Sequence, residues 1–181
     1  MTALIAAALL IAPVKSPQMG LNVGETMIAY DPYHLTGPDQ GTETCPVCEY
    51  LNRPMVIVWS FRQDPRELSP LLRRIEEATD RHERHEFKSF FTFLTNDWNA
   101  KNLRKELPEW ATENAAQLTS VTVLPHDNEA VERAKFPTDG SVRNVVWIFK
   151  NRQISHKWVN IKADKPTVDA IIGAIEWQVK R

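Results

Sequence analysis

Cysteine is scarce here. Cys45 and Cys48 are the only two in 181 residues, too few for the disulfide framework of a small secreted scaffold, and no second Cys-x-x-Cys completes a four-thiolate zinc site. An excess of charge of one sign is lacking as well. The formal net charge is −1, with both signs interspersed, which leaves no electrostatic footprint for nucleic acid or an anionic membrane surface. The apolar run Ala3 to Ala12 is too short to span a bilayer. What remains is a single domain, long enough to bury a core without metals or several staples, with no cofactor expected.

The same run has the length of a signal-peptide core, and Pro13, Ser16, Pro17, Gly20 and Gly24 behind it read as a tether. Residues 1–19 are therefore read as a signal-peptide-like segment and tether, and residues 20–181 as the domain. The expectation is an extracytoplasmic protein, periplasmic or secreted, whose mature domain is not inserted in a membrane. Two marks of a signal peptide are missing: no cation precedes the run, and no A-x-A pattern follows it. The competing reading packs the run on the domain as a strand or helix.

The stretch Thr42 to Phe61, TETCPVCEYLNRPMVIVWSF, joins the cysteine pair to the strongest strand signal, the apolar run Met55 to Phe61. Two thiols three residues apart can close a small ring, and a helix N-terminus lowers the pKa of the first. Thr44 or Cys45 is placed to cap a turn with Pro46 in its first position, where a missing N–H costs nothing. Cys45 then lies at the open end of that turn and Cys48 one turn further in. Cys45 is thus expected to be the more accessible sulfur and the attacking thiolate.

Downstream, Asp64, Pro65 and Glu67 are the ingredients of a capping box. Leu68, Leu71, Leu72, Ile75 and Ala78 recur at helical spacing behind it, toward Glu83. Phe90 to Leu94 reads as a second strand, Leu103 to Leu118 as a helix interrupted at Pro108, and Val121 to Leu124 as a third strand. Asp127 caps a short helix to Ala134. Val145 to Phe149 and Ile154 to Val159 flank Lys150 to Gln153 as a β-hairpin, and Val168 to Val179 form a last amphipathic helix. The order βαβαβαββα predicts an α/β fold. Its sheet is mainly parallel, with Met55 to Phe61 central and the hairpin as an antiparallel edge.

This order resembles the thioredoxin fold, a mixed central sheet between helix layers, and within it the peroxiredoxin and cytochrome-maturation branch. Thr36 to Tyr50, TGPD-x-GT-x-TCPVC-x-Y, is similar to a family of secreted bacterial thioredoxin-like proteins. The resemblance implies thiol–disulfide redox through Cys45 and Cys48, with protein thiols or disulfides as partners. It also exposes departures. The family's reactive cysteine follows the central strand, where this chain has Ser60 to Pro65, and its cis-proline precedes the closing hairpin, where this chain has Val142-Arg143-Asn144. Whether the Cys-Pro-Val-Cys segment folds back to the Arg62–Asp64 loop or extends away from it is open.

The alternative reading makes the domain a non-catalytic interaction module whose cysteines form a structural disulfide. Trp98, in the polar stretch Asn96 to Asn99, and the loop residues Arg62 and Asp64 are its candidate contact residues. A mixed-ligand metal site would have to recruit His34, His126 or His156, whose spacing dictates nothing. His82 and His85 are three apart rather than four and read as a solvated helix end. Trp59, Trp147 and Trp110 read as core.

Overall fold

The computed structural model describes residues 19–96 and 99–181. Strands β1 (Tyr33–His34), β2 (Met55–Phe61), β3 (Lys88–Thr95), β4 (Ser120–Pro125), β5 (Asn144–Lys150) and β6 (Gln153–Val159) form one sheet in the order β1-β4-β3-β2-β5-β6. The helices are α1 (Pro46–Glu49), α2 (Ser69–Arg81), α3 (Ala100–Glu113), α4 (Glu129–Arg133) and α5 (Lys165–Val179). β2, β3 and β4 are parallel; β1, β5 and β6 pair antiparallel to their neighbours. The apolar, β-branched run Met55 to Phe61 is central as expected, and all seven of its residues are buried. Such a strand must be covered on both faces.

Two clusters supply the cover. Val56, Val58, Phe91, Val146 and Ile148 pack beneath Leu71, Leu72 and Ile75 of α2, Trp110 of α3 and Ile171 and Ile175 of α5. On the opposite face Ile57, Trp59, Phe90, Val145 and Trp147 pack under Leu21, Met27, Tyr30, Cys45 and Val47 and the α4 residues Ala130 and Val131. Odd and even positions of each strand go to different faces, the period of two that a pleated strand imposes.

Local chemistry explains the boundaries, and four differ from expectation: α4, for one, is capped by Asn128, whose Oδ1 accepts from Ala130 N at 2.9 Å, and not by Asp127. Asp64 does cap Pro65, accepting from Arg66 N at 2.9 Å, but the first turn is a 3-10 helix, Pro65–Leu68, before α2 begins. Glu67 does not close a capping box, because its carboxylate is taken by Gln63 and Arg143. α3 runs through Pro108 without interruption. A mid-helix proline costs about 3 kcal/mol. Leu107, Trp110 and Ala111 are buried on either side of it, and Trp110 Nε1 donates to Ser69 Oγ of α2 at 2.8 Å, so packing against the core and α2 offsets that cost. α3 then ends at Glu113, short of Leu118, in a Schellman motif: Ala115 takes φ 54°, and Ala116 N donates to Ala111 O at 2.9 Å. Asn151 and Arg152, both at positive φ, make the expected tight hairpin between β5 and β6.

The chain is docked from Gly20 onward. Gly20 N donates to Lys135 O at 2.8 Å, and Trp147 Nε1 donates to Leu21 O at 2.9 Å. A Cβ at position 20 would meet the Trp147 ring at 2.7 Å. The run Ala3 to Ala12 lies outside the described residues, as does Trp98. No helix among the described residues is long and apolar enough to cross a membrane.

Candidate functional site

Cys45 and Cys48 are joined by a disulfide, their Cα atoms 5.2 Å apart. Cys45 caps α1 from an extended conformation (φ −75°, ψ 106°), with Pro46 in the first position, as the sequence pattern predicts. Its Sγ accepts a hydrogen bond from Cys48 N at 3.1 Å. The expected accessibility is reversed, however. Cys45 is 8% exposed and packed in the second core cluster, while Cys48 faces solvent. The cap forms as the sequence predicts, but Cys45 and Val47 cover the sheet face, so the open end of the turn points inward and away from solvent.

The surroundings of the pair are aromatic and polar. His34, fully buried on β1, binds Thr44 O through Nε2 at 2.9 Å and meets Phe90 edge to face. Just beyond α1, Tyr50 donates to Asp39 at 3.0 Å. Its ring lies under Arg53 and Lys88 at 5.4 and 5.1 Å. Desolvation, with the nearby Asp39 carboxylate, pushes the Tyr50 phenol up to about 12. Arg53 pairs with Glu86 at 2.9 Å. These anchors sit beside Lys88, which pairs with Met55 at the start of β2. The segment thus runs toward the N-terminal end of β2, across the second face of the sheet, and does not fold back on the Arg62–Asp64 loop. His126 stacks on Phe61 beyond the far end of β2, and His156 stacks on Trp158 of β6. The structure does not bring these histidines together with the cysteines.

A second locus lies at the C-terminal end of β2. Arg62 takes φ 52° and lays its guanidinium over the Phe61 ring at 4.8 Å, and Asp64 is the cap already described. Between them Gln63 turns inward. Phe61 N donates to Arg143 O at 2.8 Å, bringing the two sequence stretches Ser60 to Pro65 and Val142 to Asn144 side by side. Asn144 is 1% exposed and donates through Nδ2 to Gln63 Oε1 at 2.8 Å and Ile161 O at 3.1 Å, while its Oδ1 accepts from Ile161 N at 2.8 Å. Gln63 Nε2 donates to Glu67 at 3.1 Å, and Arg143 Nη2 donates to both Glu67 oxygens at 3.1 and 2.9 Å. These residues, with Asn160, Ile161, Lys162 and Ala163, line a pocket of about 520 Å³. Asn144 shares its strand face with Val146 and Ile148, so the pocket opens on the first face of the sheet and the disulfide lies on the second. Sequence reasoning marked both stretches only for what they lack. It missed Gln63, Glu67, Arg143 and Asn144 as a cluster, since no spacing links positions 63 and 144.

Solved structures match over most of the chain. A Bacteroides thetaiotaomicron protein provisionally named a protein disulfide isomerase aligns with a TM-score of 0.67 at 9% identity, over 91% of this chain and 95% of its own. The chain has the thioredoxin fold. The mitochondrial 2-Cys peroxiredoxin of Plasmodium falciparum aligns with a TM-score of 0.62 at 10% identity, over 86% and 93% of the two chains. Xanthomonas campestris peroxiredoxin Q gives 0.58 at 12%, over 82% and 90%. No protein-family model matches the sequence, and no curated protein matches it.

Proposed function

We propose that this thioredoxin-fold protein carries out thiol–disulfide exchange through Cys45 and Cys48, with Cys48 as the sulfur that meets the partner. The observation that carries the reading is the asymmetry of the pair: an exposed Cys48 bonded to a buried Cys45 whose Sγ already accepts a backbone N–H at 3.1 Å. A partner thiolate attacks Cys48 Sγ, the Cys45–Cys48 bond breaks, and Cys45 leaves as a thiolate held by that N–H. A second partner thiolate then attacks the partner's own sulfur in the mixed disulfide, forming the partner disulfide and releasing Cys48. The partner loses two electrons and the pair gains them; the partner's two protons pass through solvent to the two new thiolates. Run backward, the same steps reduce a partner disulfide. An extracytoplasmic setting suits this chemistry, because disulfides persist in oxidising compartments, and the run Ala3 to Ala12 supports export.

The test is equilibration of the protein against glutathione redox buffers, with the pair read by alkylation and mass. A working dithiol has a potential above about −300 mV; a value below that identifies a structural staple. The second reading, an interaction module with a structural disulfide, draws on the packing of Cys45 in the second core. Under it Arg62, Asp64 and Trp98 are the proposed contact surface.

A further inference from the structure

We infer that the pocket at the C-terminal end of β2 binds a carboxylate of a small organic acid, gripped by Arg143 with Gln63 and Lys162. The floor is built rather than incidental. Gln63 and Asn144 are 9% and 1% exposed, and their amides are locked by bonds to each other, to Ser60 and to both backbone groups of Ile161. Every acceptor in that floor is engaged: Gln63 Oε1 takes Asn144 and Ser60, Asn144 Oδ1 takes Ile161 N, and Glu67 takes Gln63 and Arg143. The donors are not exhausted. Gln63 Nε2 has one N–H beyond its bond to Glu67. Arg143 uses only Nη2 on Glu67, leaving Nε and Nη1 without partners among the described residues. The spare donors of Arg143 and Gln63 call for a ligand that accepts.

Charge points the same way. Arg143, Lys162 and Glu67 leave one net positive charge in the lining, and nearby Asp164 is committed to capping α5 at Thr167 N. A monoanion balances that charge, whereas a phosphate dianion would oppose the Glu67 carboxylate. Arg143 can give one carboxylate oxygen a charge-assisted bond from Nη1 or Nε, and Ile161 and Ala163 offer a short apolar wall for its carbon chain. The volume of about 520 Å³ is that of a small-molecule site. This site is independent of the cysteine chemistry, which lies on the other face of the sheet.

The experiment is titration of the intact ¹⁵N-labelled protein with propionate and, separately, with its neutral isostere propionamide, following the side-chain amides of Gln63 and Asn144 by NMR. Propionate is expected to give saturable shifts and propionamide none. Arg143→Gln should weaken propionate at least roughly tenfold, the scale of a lost charge-assisted pair; Lys162→Gln should weaken it about threefold. Glu67→Gln should tighten it, because it removes the competing carboxylate from Arg143. Equal shifts from propionate and propionamide, or unchanged binding in both Arg143→Gln and Lys162→Gln, would overturn the proposal. Lys162 is exposed, so its variant reads the site even where Arg143→Gln disturbs the fold. Tetra-alanine with a free carboxy terminus forms a second arm: binding weaker than propionate is expected for a small-acid site, and much tighter binding would reassign the pocket to a chain end and overturn the small-acid assignment.

Discussion

Reducing the Cys45–Cys48 bond should weaken the fold by a small, calculable amount. The bridge joins positions three apart, so it closes a loop of four residues, and the chain-entropy relation gives about 2 kcal/mol for a ring of that size. In a chain of this length each kcal/mol moves the thermal midpoint by about 2–4 °C, so reduction is expected to lower it by roughly 4–8 °C. Nothing else in the neighbourhood needs the bond. His34 still holds Thr44 O, Tyr50 still donates to Asp39, and Arg53 still pairs with Glu86. The buried Cys45 thiol remains a small apolar group in the second core. Circular dichroism melts with and without a phosphine reductant, repeated on the Cys45→Ala/Cys48→Ala double variant, measure the effect. An exchange protein must survive its own reduced state. A midpoint loss beyond about 15 °C, well above the entropic figure, would make the bridge a staple that the fold depends on.

Single-cysteine variants test which sulfur meets the partner: Cys48, left alone in Cys45→Ser, should react with iodoacetamide several-fold faster than Cys45 left alone in Cys48→Ser, and equal or reversed rates would return the attack to Cys45. Asn144→Ala strands buried groups on Gln63 and Ile161 and should cost about 2–3 kcal/mol, read as a drop of roughly 5–10 °C in the thermal midpoint; no measurable drop would show the pocket floor to be incidental. Burial pushes the Tyr30 phenol up to about 12, against its bond to Thr92, whereas the unfolded chain titrates near 10. The folded state holds that proton more tightly, so its contribution is whole below about pH 10 and is lost, up to about 3 kcal/mol, as pH rises toward about 12. Urea unfolding of the wild type and Tyr30→Phe at both ends of that window should show the smaller alkaline loss in the variant.

Much of the architecture could be read from the chain because its signals are local. Met55 to Phe61 is apolar at every position but Ser60 and is buried at every position; Lys150 to Gln153 sits between two strand-like runs and turns between β5 and β6. Pro46 and Cys45 specify their own cap. β1 escaped notice because it is two residues long, and its partner β4 lies far along the chain, at Thr122 and Val123. The accessibility of the cysteines escaped for a related reason. A cap motif sets which end of a turn is open, but the packing of Val47 and Cys45 against the sheet decides which way that end faces.

The pocket was hidden for a stronger reason. Gln63, Glu67, Arg143, Asn160 and Lys162 are each ordinary polar residues in loops or first turns, and nothing in their spacing joins them. Register does. Ser60 pairs with Asn144 where β2 meets β5, and Asn160 N donates to Asn144 O at 2.9 Å, so three separate segments end at one corner of the sheet. That register also sets the pocket apart from the disulfide. β2 advances about 3.3 Å per residue, roughly 20 Å from the end near Tyr50 to the end at Phe61, and the two loci open on opposite faces. Coupling between them would have to pass through a strand buried on both sides. A change at Arg143 should therefore leave the chemistry of Cys48 untouched, and the redox state of the pair should leave the pocket's grip unchanged, because sites on opposite faces of the sheet with no shared partners act additively.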